Sequence, residues 1–347
     1  MRFTGKYLFG LIGGMDSLWT IFVALRNRFR QNWKKHEDKG QSGVTRFGTK
    51  GDNNKTTRII LPLTVEEYQI GQLYSIAQAS RNETGGGDGI QVITNESFEN
   101  QPLLGHQFPS GQYTKKKYYL ANKVGGLVKT LLPKSALVLE ENAWNAYPYC
   151  RTILTNEYMG SDFGISIETY HLPGKGEHEN VHQLTNEKLA QREVVIIDIA
   201  GELLDPADYD KDEDPRLHKS LKCDRGPLTP GWINTVKPVM TCYKLVTCHF
   251  NWFGLQTRVE KLIQKYEMRL FTKFHRQVYC WLDNWYELTL EDIRNIELQV
   301  QEELENVSTK KLLFLFIYQP ISPSLLMFQP SILSNVYTEL YEVFATI

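Results

Sequence analysis

The sequence predicts an α+β fold in which a curved antiparallel β-sheet grips a long helix around an interior cavity. Short β-branched and aromatic stretches, bounded by Gly, Pro and Asn, recur between residues 91 and 250. Apolar residues then recur every three to four positions over 255–281, which indicates one long amphipathic helix. The run 143–152, AWNAYPYCRT, adds an amide, a thiol and a guanidinium to aromatic side chains, a composition typical of a ligand pocket.

Local signals place the elements in order. The first strand is predicted at 58–62, and Thr64 begins a helix over 65–80, because Glu67 three residues later completes a capping box. Further strands are predicted at 91–94, 113–120, 136–139, 149–155, 163–171, 194–199 and 240–250. After the long helix, a second helix begins at Thr289, which is again a good N-cap.

The two ends of the chain differ in composition from the middle. An apolar stretch at 7–25 precedes a basic run, and Asp16 argues against a membrane-spanning helix, because a central charge costs about 2.5–3.5 kcal/mol on insertion. We expect residues 1–57 to be an extension ending in a linker at 41–57, with a signal or transit peptide as the alternative. A globular domain is expected over 58–305, followed by a divergent apolar tail at 306–347.

Bulk composition excludes some partners. A formal net charge of −1 provides no overall field to attract nucleic acid, so attraction to phosphates must be local. Five cysteines form an odd set without metal-ligand spacing, which favours reduced thiols in a cytoplasmic protein over a disulfide framework.

The sequence gives little support for a catalytic site. His178, Glu179 and His182 match the His-Glu-x-x-His pattern of zinc hydrolases, but that pattern works only on a helix, and the flanking residues are weakly helical. The glycines at 85–87 are not followed by Gly-Lys-Ser/Thr, and no Gly-x-Ser-x-Gly elbow occurs. We therefore predict a protein that is not an enzyme and that has no metal or other cofactor.

Four segments together carry a family resemblance: ETGGG at 83–87, AWNAYPYCRT at 143–152, KLVT at 244–247 and FTKFHRQ at 271–277. Over about residues 58–304 the chain resembles the class I phosphatidylinositol transfer proteins. The resemblance implies a helix-grip fold related to the steroidogenic-acute-regulatory-related (START-like) lipid-transfer domains. It also implies a monomer that binds one phosphatidylinositol or phosphatidylcholine molecule and exchanges it between intracellular membranes such as Golgi and endoplasmic reticulum, docking on each only transiently.

The resemblance also implies headgroup residues. The positions expected to hold the inositol ring are Thr114, Lys116, Asn145 and Glu297, and those expected to contact the lipid phosphate are Gln72, Thr152, Thr169 and Lys244. From the sequence itself, Lys116 either faces solvent or meets an anion or carboxylate, because an unpaired buried ammonium is strongly disfavoured. For any one residue of the phosphate set taken singly, a surface polar residue on a strand is the default interpretation.

Four further positions gain roles by resemblance. Cys150 is expected to line the acyl-chain cavity, which agrees with a cysteine acting as a small buried hydrophobe. Trp252 and Phe253 are adjacent in a predicted loop and are expected to dock on membranes, each contributing about 1.5–3 kcal/mol, with a core corner as the alternative. Ser220, flanked by basic residues, is a candidate phosphorylation site.

One rival function belongs to another class. The apolar N-terminal stretch or the C-terminal tail could anchor a membrane-tethered lipid sensor that retains lipid without shuttling it. Comparing the membrane fractionation of the full chain with that of residues 58–305 separates this sensor from the carrier.

Overall fold

The computed structural model describes residues 53–83, 90–100, 108–120, 133–201, 205–251 and 256–303. The described residues up to Gln301 belong to one compact unit, and Glu302 and Glu303 belong to a second. The expectations for residues 1–52, for Trp252 and Phe253 and for the tail at 306–347 lie outside the described residues. No helix within the described ranges is both long and apolar enough to cross a membrane.

The β-branched and aromatic stretches form one eight-stranded sheet in the order β2-β3-β4-β5-β6-β8-β1-β7. Most neighbouring strands pair antiparallel, while β1 and β7 pair parallel. The strands are β1 (Asn53–Leu61), β2 (Ile90–Glu99), β3 (Ser110–Tyr119), β4 (Val138–Ala146), β5 (Tyr149–Thr155), β6 (Phe163–Pro173), β7 (Glu193–Asp198) and β8 (Met240–Phe250).

The two long helices, Val65–Glu83 and Gln256–Cys280, pack on one face of this sheet, and the predicted α+β class and START-like architecture are confirmed. The helices are α1 (Val65–Glu83), α2 (Asn186–Gln191), α3 (Trp232–Thr235), α4 (Gln256–Cys280), α5 (Leu282–Trp285) and α6 (290–303). Helix α4 buries one stripe that includes Ile263, Phe271 and Val278, as its three-to-four-residue periodicity predicts. It contacts β1, β8 and α1.

Several elements differ from the sequence-based expectation, and strand β2 extends five residues past its expected end. Strand β1 begins at Asn53 rather than at 58, because Lys55, Thr56 and Thr57 are buried between β8 and β7. The strand expected at 136–139 is instead a 3₁₀ turn over Lys134–Leu137 followed by β4, which continues to Ala146. Helix α1 extends three residues past the expected end. The edge strand β7 runs parallel to β1, although an antiparallel sheet was expected.

The predicted capping box at the start of α1 is confirmed. Thr64 N–H donates to Glu67 Oε2 at 2.8 Å, and Glu67 N–H donates back to Thr64 Oγ1 at 3.1 Å. The same carboxylate accepts two hydrogen bonds, each of 2.8 Å, from the guanidinium of Arg225. This bidentate pair ties the start of α1 to a loop 158 residues away in the chain.

Ion pairs fasten the segment that precedes this loop to the side of α4. Arg269 binds Asp205 at 2.9 Å and also pairs with Asp208, while Arg276 binds Asp214 at 3.1 Å. Arg269 and Arg276 are seven residues apart and therefore lie on one side of the helix. Residues 205–214 thus cover a side of α4, leaving its other stripe to face the sheet.

Candidate functional site

A cavity of about 250 Å³ lies between the inner face of the sheet and the two long helices α1 and α4. Its wall is mostly apolar and aromatic, with side chains such as Ile76, Phe163, Ile165 and Leu270. A few polar groups interrupt that wall: Gln72, Glu141, Cys150, Thr152, Thr169 and Lys244. An apolar chamber with a small number of placed polar groups is suited to an amphipathic ligand.

The four residues expected to contact the phosphate all line this cavity. Thr169 on β6 lies directly opposite Lys244 on β8 and, on its other side, opposite Cys150 on β5. Thr152 is two residues from Cys150 and therefore shares its face. Gln72 approaches the same cavity from α1. The structure thus brings the whole predicted phosphate set together, and its role in binding phosphate stays a prediction.

Three of the four residues expected to hold the inositol ring lie on the same face of the sheet. Thr114 is opposite Ala143, and Ala143 is opposite Thr152. Asn145 is opposite Cys150, and its Oδ1 accepts a hydrogen bond from the Cys150 thiol at 3.2 Å. Since directly opposed residues share a face, Thr114 and Asn145 lie on the sheet face that carries the cavity. Neither they nor Lys116 are among the described residues that line it.

Lys116 was expected to face solvent or to meet an anion or carboxylate, and the structure shows the carboxylate. Its Nζ lies 3.7 Å from Glu141 Oε1, and the side chains are 16% and 17% exposed. Lys116 and Glu141 are directly opposed in the β3–β4 pairing. Tyr118, two residues further along β3, donates a hydrogen bond of 2.9 Å to Glu141 Oε2.

Glu297, the fourth residue of the inositol set, lies on α6 and pairs with Arg294 one turn earlier at 2.5 Å. It is not among the described residues that line the cavity. Its contact with an inositol ring stays a prediction.

Lys244 supplies the positive charge of the cavity wall. Its ammonium lies 3.4 Å from Thr169 Oγ1 and 5.2 Å from the centre of the Phe271 ring. Within the described part of the chain no carboxylate forms an ion pair with it. Burial lowers the pKa of Lys244 below that of a free lysine, because the low-polarity surroundings disfavour the ammonium. An anion entering the cavity would compensate for that loss of hydration.

Two buried histidines near Lys244 are neutral. Burial, and then the charge of Lys244, lowers the pKa of His171 to about 3 and the pKa of His275 well below its usual value. His275 Nδ1 donates to the Phe271 carbonyl at 2.7 Å, so its neutral Nε2 accepts from the Tyr68 hydroxyl at 2.9 Å. Lys244 is therefore the cation at this end of the cavity.

The structure places Cys150 in the cavity wall, and its contact with an acyl chain stays a prediction. Burial raises the pKa of its thiol to about 12, so the reactive thiolate is scarce at neutral pH. All five cysteines of the chain are free thiols.

Ser220, the candidate phosphorylation site, is 1% exposed. Its hydroxyl donates to a carboxylate oxygen of Asp283, which also accepts the Leu221 and Lys222 backbone N–H groups at 3.0 and 3.2 Å. A kinase could reach Ser220 only after this loop separates from Asp283.

The histidine motif at 178–182 is not arranged as the helical zinc-hydrolase pattern requires. The motif lies in a loop rather than on a helix, and Glu179 pairs with Arg58 at 2.8 Å and Arg192 at 2.9 Å. His178 Nε2 lies 3.3 Å from the Pro173 carbonyl oxygen, and His182 Nε2 lies 3.0 Å from that of Glu168. The described residues contain no group of three or more potential metal ligands. The loop instead covers the outer face of the sheet.

Glu141, Tyr68 and His275 also line the cavity wall, although they were not expected there from the sequence. Glu141 lies four residues before Asn145 on β4, so period-two alternation would have placed both on one face. That signal was lost because the strand was expected to end at 139. Tyr68 and His275 could not be identified locally, since their contact joins α1 and α4.

Comparisons with known proteins agree with this arrangement. The profile of the family described as phosphatidylinositol transfer protein matches residues 54–302. The phosphatidylinositol transfer protein beta isoform of Rattus norvegicus is 53% identical over 262 residues, which cover 74% of this chain and 94% of the relative.

More distant relatives match the same part of the chain. Phosphatidylinositol transfer protein 1 of Dictyostelium discoideum is 46% identical over 256 residues, covering 73% of this chain and 95% of the relative. Protein retinal degeneration B of Drosophila melanogaster is 44% identical over 263 residues, covering 71% of this chain and 20% of the relative. The family match over residues 54–302 and this level of identity over most of the chain show that it belongs to the phosphatidylinositol transfer protein family.

Proposed function

We propose that this protein carries one phosphatidylinositol or phosphatidylcholine molecule in its cavity and exchanges it between membranes. The proposal rests mainly on Lys244, whose ammonium lies in a mostly apolar wall and forms no ion pair with any described carboxylate. A phosphodiester supplies the missing negative charge, and its acyl chains match the apolar remainder of the wall. Family membership supports the same reading.

Energetics explain why a carrier must enclose its lipid. Two acyl chains expose roughly 30 methylenes. At about 0.8 kcal/mol for each methylene, transferring both chains into water costs on the order of 25 kcal/mol. The apolar side chains of the sheet, α1 and α4 would replace the membrane as solvent for these chains. Cys150 would be one of their contacts.

Headgroup recognition divides between two sets of residues. Lys244 would donate charge-assisted hydrogen bonds to the phosphate, with Gln72, Thr152 and Thr169 as neutral partners. The inositol hydroxyls would meet the second set, which is Thr114, Lys116, Asn145 and Glu297. Phosphatidylcholine shares the phosphate but lacks the hydroxyls, so a change in the second set should affect phosphatidylinositol selectively.

The exchange cycle requires no covalent step. Trp252 and Phe253 would dock the protein on a membrane transiently, the cavity would open, and one lipid would replace another. We therefore expect a monomeric carrier rather than an enzyme, with bound phospholipid as cargo and no cofactor. Its expected place is the cytoplasm, with peripheral contact at membranes such as Golgi and endoplasmic reticulum.

A vesicle assay tests this function. Donor vesicles containing radiolabelled phosphatidylinositol or phosphatidylcholine are mixed with unlabelled acceptors and the full-length protein. We expect both lipids to move at rates proportional to protein concentration, and full-length Lys244→Gln to move neither. Lipid that binds to the protein but never reaches acceptor vesicles would contradict a carrier.

A further inference from the structure

The cavity wall carries a second charged side chain, Glu141 on β4. Its Oε1 lies 3.7 Å from the ammonium of Lys116, the residue directly opposite it on β3. Both side chains are largely buried, at 17% and 16% exposed. A lysine with so little access to water depends on its carboxylate partner to remain in place.

Tyr118 fixes the direction of that carboxylate. Its hydroxyl donates to Glu141 Oε2 at 2.9 Å, so the two oxygens of Glu141 have different partners. Tyr118 is buried and lines the cavity on the same face as Lys116, two residues away. Tyr118, Glu141 and Lys116 therefore form a chain of contacts that ends at the ammonium.

We propose that Glu141 is a positioning residue that holds the Lys116 ammonium at the headgroup end of the cavity and thereby sets the preference for phosphatidylinositol over phosphatidylcholine. The inference rests on the proposed function. Inositol hydroxyls accept hydrogen bonds from an ammonium, whereas the trimethylammonium of choline has no acceptor and repels one. Loss of the lysine's position therefore weakens phosphatidylinositol binding and leaves phosphatidylcholine, whose phosphate meets Lys244, in place.

Glu141 also neutralises the charge of Lys116. Paired with Glu141, Lys116 adds no net charge, so Lys244 alone opposes the single negative charge of a phosphodiester. The pair presents Lys116 as a hydrogen-bond donor to hydroxyls rather than as a second site for phosphate.

The chain offers a matched control on the same two strands. Glu140, the neighbour of Glu141, binds Lys115 at 2.8 Å, with both side chains 31% exposed. Because side chains alternate along a strand, this pair lies on the face away from the cavity. Glu140→Gln removes an ion pair of the same composition and shorter distance without touching the cavity wall.

The test is mass spectrometry of lipid bound by the full-length protein after equilibration with vesicles of equal phosphatidylinositol and phosphatidylcholine content. We expect Glu141→Gln to lower the bound phosphatidylinositol to phosphatidylcholine ratio about fivefold, the effect of one ion pair, with total bound lipid unchanged. Glu140→Gln should leave the ratio unchanged. Glu141→Asp, which keeps the charge, should restore part of it.

Two further variants separate positioning from other roles. In a Lys116→Gln background, adding Glu141→Gln should lower the ratio no further, because Glu141 acts through the lysine. Tyr118→Phe removes one hydrogen bond and should lower the ratio about twofold, so it tests the inference even if Glu141→Gln fails to fold.

The contradicting outcomes are distinct. An unchanged ratio in Glu141→Gln, a selective loss of phosphatidylcholine, or an additional loss in the Lys116→Gln background would each overturn the inference. Equal loss of both lipids would indicate a structural role alone and would also overturn it. Native protein that binds neither lipid would contradict the proposed function instead.

Discussion

Lys244 Nζ lies 3.4 Å from Thr169 Oγ1, joining two directly opposed residues of β8 and β6 at the cavity wall. A neutral hydroxyl cannot compensate an ammonium for the water it has lost, and burial lowers the pKa of Lys244 accordingly. The pair provides adjacent donors for one acceptor, in a chamber whose other surfaces are mainly apolar. Lys244 is therefore expected to decrease the stability of the empty protein and to increase its affinity for an anionic lipid group.

Lys244→Gln should separate those two effects. Loss of charge-assisted hydrogen bonds worth about 1.5–3 kcal/mol should lower the binding of both phospholipids at least tenfold. The lipid-free variant should melt at a higher temperature than the lipid-free native protein, because it no longer buries a charge. Titration with vesicles and thermal unfolding measure the two quantities, and Lys188→Gln on the exposed surface of α2 is the control. Equal lipid binding by Lys244→Gln and native protein would exclude Lys244 from the phosphate site.

Cys150 should react with a bulky thiol reagent only while the protein is open. Burial raises the pKa of this thiol to about 12, which leaves little thiolate at neutral pH. We expect peptide mass spectrometry after treatment with a maleimide to find Cys150 unmodified in solution and modified when phospholipid vesicles are present. The half-buried Cys223 reports on general reactivity. Equal modification of Cys150 with and without vesicles would argue against a gated cavity.

Release of the Ser220 loop should control phosphorylation. Ser220 is buried and donates to Asp283, which also accepts two backbone N–H groups of the same loop. Asp283→Asn weakens these hydrogen bonds by removing the acceptor's charge, so a kinase that prefers basic sequences should phosphorylate Ser220 several-fold faster in that variant. Incorporation of labelled phosphate measures the rate, with Ser220→Ala as the blank. Identical rates in native protein and Asp283→Asn would show that the loop opens freely.

The buried carboxyl group of Glu267 should make stability depend on pH. Burial raises its pKa to about 8, with the charge of Lys55 opposing the shift. An unfolded glutamate has a pKa near 4.3, so between roughly pH 4.3 and 8 the folded protein holds a proton that the unfolded chain has released. The contribution of Glu267 to stability is complete below that window and is lost as pH rises through it.

Glu267→Gln removes this titration. Its free energy of unfolding should exceed that of the native protein by an amount that grows from pH 5 to pH 8, as urea denaturation at several pH values would measure. Glu291→Gln, at an exposed position of α6, is the control and should show no such trend. A difference that stays constant with pH would mean that Glu267 is charged throughout.

Local sequence signals were sufficient for elements whose ends are marked by caps or turns. The capping box of Thr64 and Glu67 and the bounds of β5 and β8 agree with expectation. The start of β1 was missed because Lys55, Thr56 and Thr57 are polar yet buried, and only the neighbouring strands and Glu193 explain their burial. The parallel pairing of β7 depends on a partner far away in the chain, so no local pattern could predict it.

In the candidate site, too, some features follow from local sequence signals and others depend on distant contacts. Thr152, Thr169 and Lys244 gather at one cavity because alternation along strands fixes the face on which each lies, and Gln72 joins them from α1. The partner of Lys116 could not be predicted, because it depends on the β3–β4 register and on a strand that continues through Glu140, Glu141 and Asn142. These polar residues resemble a loop in sequence, yet the outer pair of Glu140 with Lys115 and the inner pair of Glu141 with Lys116 accommodate them in the sheet.

The most direct test of the account is mass spectrometry of lipid that co-purifies with the full-length protein, with native protein beside Thr114→Asp. Thr114 lies on the cavity face, and a carboxylate there would occupy the space expected for the inositol ring. We predict that native protein carries phosphatidylinositol and phosphatidylcholine and that Thr114→Asp loses only the former. Folded protein without lipid, or an unchanged lipid profile in Thr114→Asp, would contradict the assigned headgroup site.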